Sequence, residues 1–307
     1  MIFNAQTAAA GLMLATLLGA SAGTALAQTP APVETPTASP DVHRFRIGTL
    51  EAMSLRDGGL TAPNDNTILG VGRTPEDVAA VLTANGLVGQ TVSLSIQPLL
   101  VRDGDRLVLL DAGAGNSFGP NGGKLPASLA AAGVEPDQIT DVLISHGHGD
   151  HIVGLTDPSG SLTFPNARIR IAASEWEAIK ADSQLSALVA AITPKVETFE
   201  RGATLSPSIT AFAIDGHTAG HTGYMIRSGQ DRVLYIGDTM HHSVVSVQRP
   251  DWRIAFDGDV AVATASRKAV LERAAADDLL VYAVHFPFPG VGRIRKAGET
   301  FVWVPAL

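Results

Sequence analysis

The segment Ser145-His146-Gly147-His148-Gly149-Asp150-His151 constrains this chain more than any other stretch. It packs three histidines and one carboxylate into six residues, directly after the short apolar run 142–144. A run of that kind reads as a buried strand, so the cluster sits where a strand hands over to a loop. His146 and His148 are two apart, and an extended loop points both the same way. Asp150 and His151 are adjacent and suit a neighbouring ion. Gly147 and Gly149 allow tight turns between them. The chain has no cysteine, which removes disulfides, thiolate zinc sites and cysteine nucleophiles together. Any metal must therefore be held by His, Asp or Glu. Imidazole nitrogen and carboxylate oxygen at about 2.0–2.2 Å are the ligands zinc takes, with one position left open for water in catalytic sites.

The other donors lie far along the chain. Residues 215–222 read D-G-H-T-A-G-H-T and offer His217 and His221. Asp238 follows Gly237 and could bridge two ions, and His285 follows Val284. Each of these groups ends an expected strand: 142–144, 209–214, 232–236 and 279–283. The rest reads as mixed structure. Residues 91–101 alternate and form a hairpin with 106–110 across Asp103-Gly104. Helices are expected at 124–132, stopped by Gly133, after the strand 167–171 with Ser174 as cap and Glu177 completing a capping box, and at 261–275. A second hairpin joins 223–227 to 232–236. Strands in runs separated by helices make an α+β sandwich, not a purely parallel sheet.

Residues 1–27 read as a signal peptide. The segment 1–20 is nearly all apolar or small and carries no charged side chain, and Ala25-Leu26-Ala27 fits a cut before Gln28, although no Lys or Arg precedes the apolar run. This predicts a periplasmic or secreted protein with no integral membrane segment after cleavage. Residues 28–42 are Pro- and Thr-rich at their start and form a flexible leader. Residues 43–307 are then one domain. A net charge of -8 makes nucleic acid a poor partner and leaves a small-molecule substrate.

Taken in order, His146-x-His148-x-Asp150-His151, Gly216-His217-Thr218-Ala219-Gly220-His221, Gly237-Asp238 and His285 resemble the metallo-β-lactamase superfamily. The resemblance implies a four-layer αββα sandwich with two divalent ions, zinc first among them, at one edge. It implies that His146, His148 and His217 hold one ion, that Asp150, His151 and His285 hold the other, that Asp238 bridges, and that His221 supports without ligating. The ending His285-Phe-Pro-Phe-Pro-Gly, the stretch Asp111-Ala-Gly-Ala-Gly and Phe118-Gly-Pro120 are similar to methyl parathion hydrolase, and acyl homoserine lactonases share the metal motif. The implied activity is hydrolysis by a metal-bridging hydroxide, on lactones or carboxyl esters, with organophosphate triesters as the alternative. β-Lactams, thioesters, nucleic acids and a non-catalytic metal-binding role rank below these. A homodimer is the oligomer common among such proteins.

Further residues have two readings each. Asp150 could carry the leaving-group proton as well as ligate. Asp111 either orients a ligand histidine or caps a turn. His241 and His242 either form a solvated loop pair, which is the simpler expectation, or place His241 against substrate. Phe118, Trp176 and Phe199 correspond to aromatic pocket positions in the resembling family, or are plain core; Phe286 and Phe288 share that ambiguity. His43 is expected to be ordinary.

Overall fold

The computed structural model describes residues 39–306. The expected signal peptide and most of the expected leader lie outside the described residues. The leader ends earlier than expected: Val42 already opens the first strand, and its N–H is held by Ser39 O.

Seven strands form the first sheet, in the order β1 (Val42–Ile47), β2 (Leu50–Leu55), β5 (Leu99–Asp103), β6 (Arg106–Leu110), β7 (Asp141–Leu143), β8 (Arg168–Ala172) and β9 (Val196–Phe199). Between β2 and β5, β3 (Gly58–Pro63) and β4 (Thr91–Ile96) pair as a separate antiparallel ribbon. The expected long strand 91–101 is thus two strands. Gln97-Pro98 breaks it, because proline has no N–H for the ladder. The second sheet runs β10 (Ile209–Ala213), β11 (Thr222–Ser228), β12 (Asp231–Tyr235), β13 (Leu280–Tyr282), β14 (Val291–Ala297) and β15 (Thr300–Pro305).

The sheets face each other, and strand alternation shows it residue by residue. In β6, Val108 and Leu110 point between the sheets while Leu107 and Leu109 point outward; in β12, Val233 and Tyr235 point inward and Leu234 outward. The outward face of the first sheet packs on α2 (Leu125–Ala132) and α4 (Ala173–Ala181), with α5 (Ser186–Ile192) beside them. That of the second packs on α7 (Val260–Ala276). Four layers result, as the sandwich reading requires. The remaining helices are α1 (Pro75–Ala84), the single turn α3 (Gly149–Ile152) and α6 (Val245–Gln248); α1 and the Val245 turn close a side cluster over the ribbon.

Gly133 ends α2 in the left-handed conformation, as its position predicts. Ser174 does not cap α4. The helix begins at Ala173, two residues early, so Ser174 lies within its first turn and Ala172 takes the cap position with no side-chain bond. No helix among the described residues is long and apolar enough to cross a membrane.

Candidate metal centre

Parallel pairing of β6 with β7 and of β12 with β13 brings their C-terminal ends to one edge. β10 is antiparallel to β11, which is antiparallel to β12, so β10 ends there too. The loops after β6, β7, β10, β12 and β13 carry Asp111, His146 to His151, His217, Asp238 and His285. The structure brings all seven expected ligands together. His146 Nε2, His148 Nδ1 and His217 Nε2 form a triangle with sides of 3.0, 3.0 and 3.3 Å. Ligands at about 2.0–2.1 Å in a tetrahedral shell stand about 3.3 Å apart, so the triangle has the dimensions of one face of such a shell. Asp238 lies between this group and the next. Its Oδ2 is 3.5 Å from His146 and from His217, while its Oδ1 is 3.1 Å from His151 Nε2 and 3.0 Å from His285 Nε2. Asp150 Oδ2 is 3.7 and 3.6 Å from the same two nitrogens.

The far side of each ring says what its near side must offer. Asp111 accepts from Ser145 Oγ at 2.7 Å, so that hydroxyl's one proton is used and it can only accept from His146 Nδ1 at 3.0 Å. His151 Nδ1 faces Asp111 at 2.7 Å, His217 Nδ1 faces Asp257 at 3.1 Å, and His285 Nδ1 faces the Ser95 carbonyl at 2.7 Å. With Nδ1 carrying the proton in all four, Nε2 turns a lone pair inward. Buried lone pairs aimed at one another repel unless a cation lies among them. His151 Nε2 and Asp238 Oδ1 are buried and find no hydrogen-bond partner among the described residues. These atoms fit a pair of metal ions: His146, His148, His217 and Asp238 make one donor group, and Asp150, His151 and His285 another.

The electrostatics agree. Burial pushes the Asp238 carboxyl up, but the rings of His151, His285 and His146 outweigh it and hold the group well below the usual carboxylate range. At His146, burial and the neighbouring His151 hold the ring neutral. At His151 the balance reverses: burial is outweighed by Asp238, Asp150 and Asp111, and the ring is driven toward positive charge. That corner of the site demands a cation, whether proton or metal.

His221 faces away. Its Nδ1 donates to Ile214 O at 3.0 Å, and its Nε2 accepts from the Asp238 backbone N–H at 3.0 Å. Burial, with His217 adding to it, presses the ring down to about 3 and keeps it neutral. Gly237 permits this approach: it has φ of 47°, and a Cβ there would meet His221 Nε2 at 2.6 Å. Asp111 is far more than a turn residue. It also accepts from Tyr235 OH at 2.5 Å and Ser145 N at 2.7 Å, and it sits in the left-handed region at φ 62°.

A cavity of about 240 Å³ opens over this floor. His148, Asp150, Asp238, His241 and His285 line its base, and Leu60, Leu94, Ile96, Phe118 and Phe256 its walls. Phe118 therefore stands at the cavity. Trp176 and Phe199 do not: Trp176 is buried on the outer face of the first sheet and Phe199 between the sheets. The register of α4 and β9 turns these rings into the apolar layers and away from the rim. Phe286 is likewise core, edge-on to Trp303, and Phe288 lies under Arg56. His43 is half-buried on β1, stacked near Phe45.

The expectation of a solvated His241–His242 pair fails. His241 is 1% exposed and His242 7%. His241 stacks on His285 with its Nε2 3.2 Å from Asp238 Oδ2, and burial presses it down to about 4. The His242 Nδ1 accepts from the N–H groups of Val244 and Val245.

Several supporting residues carried no signal in the sequence pattern. Glu175, just after β8, accepts from Gly147 N at 2.7 Å, Thr218 Oγ1 at 2.8 Å and Gly220 N at 2.6 Å, and so joins the two histidine loops. Asp257 links His217 to the fully buried Arg267. Leu60, Leu94, Ile96 and Phe256 supply the cavity walls. One signal was available: Arg267 interrupts the buried stripe Ala263, Val270, Leu271 and Ala274 of α7, where an apolar residue would be ordinary.

The metallo-β-lactamase superfamily model matches residues 95–285. No curated protein matches the chain. Among solved structures, AidC, a dizinc quorum-quenching lactonase in complex with a product, is 30% identical, with a TM-score of 0.81 over 87% of this chain and 97% of its own. The hydrolase AbOPH of the beta-lactamase superfamily is 25% identical, with a TM-score of 0.78 over 88% and 99%. A probable metal-dependent hydrolase from Staphylococcus aureus, at 23% identity and a TM-score of 0.72 over 86% and 100%, shares the fold. With the family model spanning well over half of its length and the donor groups at the sandwich edge, this chain belongs to the metallo-β-lactamase superfamily.

Proposed function

We propose that the protein is a dinuclear metal-dependent hydrolase that opens lactones or cleaves carboxyl esters carrying an apolar acyl chain. The observation that carries this reading is the convergence of buried histidine lone pairs on either side of Asp238, with one of its oxygens turned to each group, directly beneath an apolar cavity. When bound, a pair of divalent ions supplies activated water and Lewis acidity at neutral pH. The chain's own residues do the rest. Asp111, Asp257 and the Ser95 carbonyl fix the ring orientations from behind. Leu60, Leu94, Ile96, Phe118 and Phe256 exclude water and receive an acyl chain. Among the described residues no lysine or arginine lines the cavity, which favours an uncharged substrate. In the net reaction water adds to the acyl carbon, the ring C–O bond breaks, and the alcohol oxygen gains a proton. On this reading that proton transfer falls to Asp150, which lies half-buried at the cavity base. The similarity to a dizinc lactonase supports the same class, and zinc heads the candidates for an N/O donor set.

A second reading, hydrolysis of aryl phosphotriesters, draws on Phe118 and Phe256, whose rings could flank a flat leaving group. The zinc-loaded chain from Gln28, assayed for kcat/KM on a long-chain acyl homoserine lactone and on an aryl dimethyl phosphorothioate, separates the two. Preference for the lactone supports the first reading. Preference for the phosphorothioate replaces it with the second, and no turnover of either overturns both. The N-terminal pattern supports export, with the chemistry outside the cytoplasm.

A further inference from the structure

Arg267 is 0% exposed, on the buried face of α7. Burying a guanidinium is costly unless its nitrogens find acceptors. Here each of its three nitrogens finds at least one, and the acceptors come from three separate parts of the site's support. Nε donates to Thr239 O at 2.8 Å, Nη1 to Pro250 O at 3.0 Å and Trp252 O at 3.5 Å, and Nη2 to Asp257 Oδ2 at 2.6 Å. Thr239 is the residue after Asp238. Asp257 uses its other oxygen on His217 Nδ1, and Phe256, next to Asp257, walls the cavity. One side chain thus ties the loop of the bridging carboxylate, the back of one histidine and a wall of the substrate cavity to a single helix. The other donor group is supported differently: His151 rests on Asp111 and His285 on Ser95 O, and neither support touches Arg267.

We infer that Arg267 is a positioning residue that sets, through Asp257 behind His217, the affinity of the His146–His148–His217 group for its ion, leaving the Asp150–His151–His285 group to its own supports. The inference rests on the two-ion reading above. A lysine cannot replace the guanidinium, because one ammonium cannot reach the Thr239, Pro250 and Asp257 acceptors from the same stem.

The test is a zinc titration of the whole mature protein against a chromophoric chelator, with cobalt absorption as a second readout of ligand geometry. Wild type, Arg267→Lys and Asp257→Asn are compared. Asp257→Asn leaves the three carbonyl bonds of Arg267 in place and keeps the question answerable if Arg267→Lys fails to fold. The expected result is two zinc affinities in wild type, of which one weakens about 10- to 100-fold in the variants while the other holds, with an altered cobalt spectrum. Unchanged affinities in folded Asp257→Asn would overturn the inference, and so would an equal fall in both, which is the mark of a general structural role. Absence of two bound ions in wild type would instead overturn the two-ion reading on which it rests.

Discussion

Glu175 makes a stringent test of how the two histidine loops are held. It is 2% exposed and accepts three hydrogen bonds of 2.6 to 2.8 Å, one from the loop of His146 and His148 and two from the loop of His217. Replacing it with alanine strands those donors. A hydrogen bond to a charged group contributes about 1.5–3 kcal/mol net. Gly220 is buried, so its N–H loses the full amount, whereas Gly147 and Thr218 are half-buried and water can meet part of their demand. The sum is about 3–5 kcal/mol, a large share of the roughly 5–15 kcal/mol that stabilises a typical domain. Loop relaxation offers little rescue on the Gly220 side, because that residue packs so closely on the Glu175 backbone that a Cβ would meet its N at 2.5 Å. Urea unfolding of the metal-free protein measures the loss through the shift in midpoint at constant slope. Zinc titration of the same variant should show the His146–His148–His217 group weakened as its loops drift apart. A Glu175→Ala protein within about 1 kcal/mol of wild type, with zinc affinity intact, would refute the idea that this carboxylate joins the loops.

Three further outcomes are expected. Asp238→Ala should retain at most one tightly held ion and lose activity, as metal analysis after gel filtration would show; two ions at full rate would mean that Asp238, though it lies between His146 and His151, does not bridge. His221→Ala should cost about 2–4 kcal/mol in unfolding free energy, from the cavity and the freed Asp238 N–H, yet keep both ions; loss of both ions would make His221 a ligand. Acid should destabilise the metal-free protein through His242, which burial presses to about 4 against about 6.5 unfolded. The unfolded chain then binds the extra proton first, so the stability is whole above pH 6.5 and drains away as pH falls toward 4, by about 3 kcal/mol; His242→Asn should flatten that slope in urea midpoints measured between pH 7 and 4.5.

What could be seen in advance and what could not divides by distance along the chain. The cluster of donors was legible because its chemistry is local: His146 to His151 declare themselves within one short segment, and Asp238 announces itself by following a glycine at the end of an apolar run. The helix stop at Gly133 was legible for the same reason. By contrast, nothing near Asp111 shows that it will meet Tyr235, 124 residues away, nor near His217 that Asp257 waits 40 residues on. Aromatic residues mislead for a related reason. A ring fits a cavity rim or a core equally well, and only the register of its element decides, which put Phe118 at the cavity but Trp176 and Phe199 into apolar layers.

Histidine misleads in the opposite direction. A polar pair such as His241-His242 looks solvated, because burying two rings costs free energy unless partners are ready. The partners come from folding itself: the turn into α6 gives His242 two backbone donors, and β13 delivers His285 for His241 to stack upon. Arg267 is the extreme case, a charge inside an apolar stripe whose burial is sustained by acceptors on segments that only the finished fold brings together. Where a sequence breaks its own hydrophobic pattern in this way, the break marks a residue whose partners are distant and whose work lies in holding the site, which makes the interruption in α7 more informative than any regular turn of that helix.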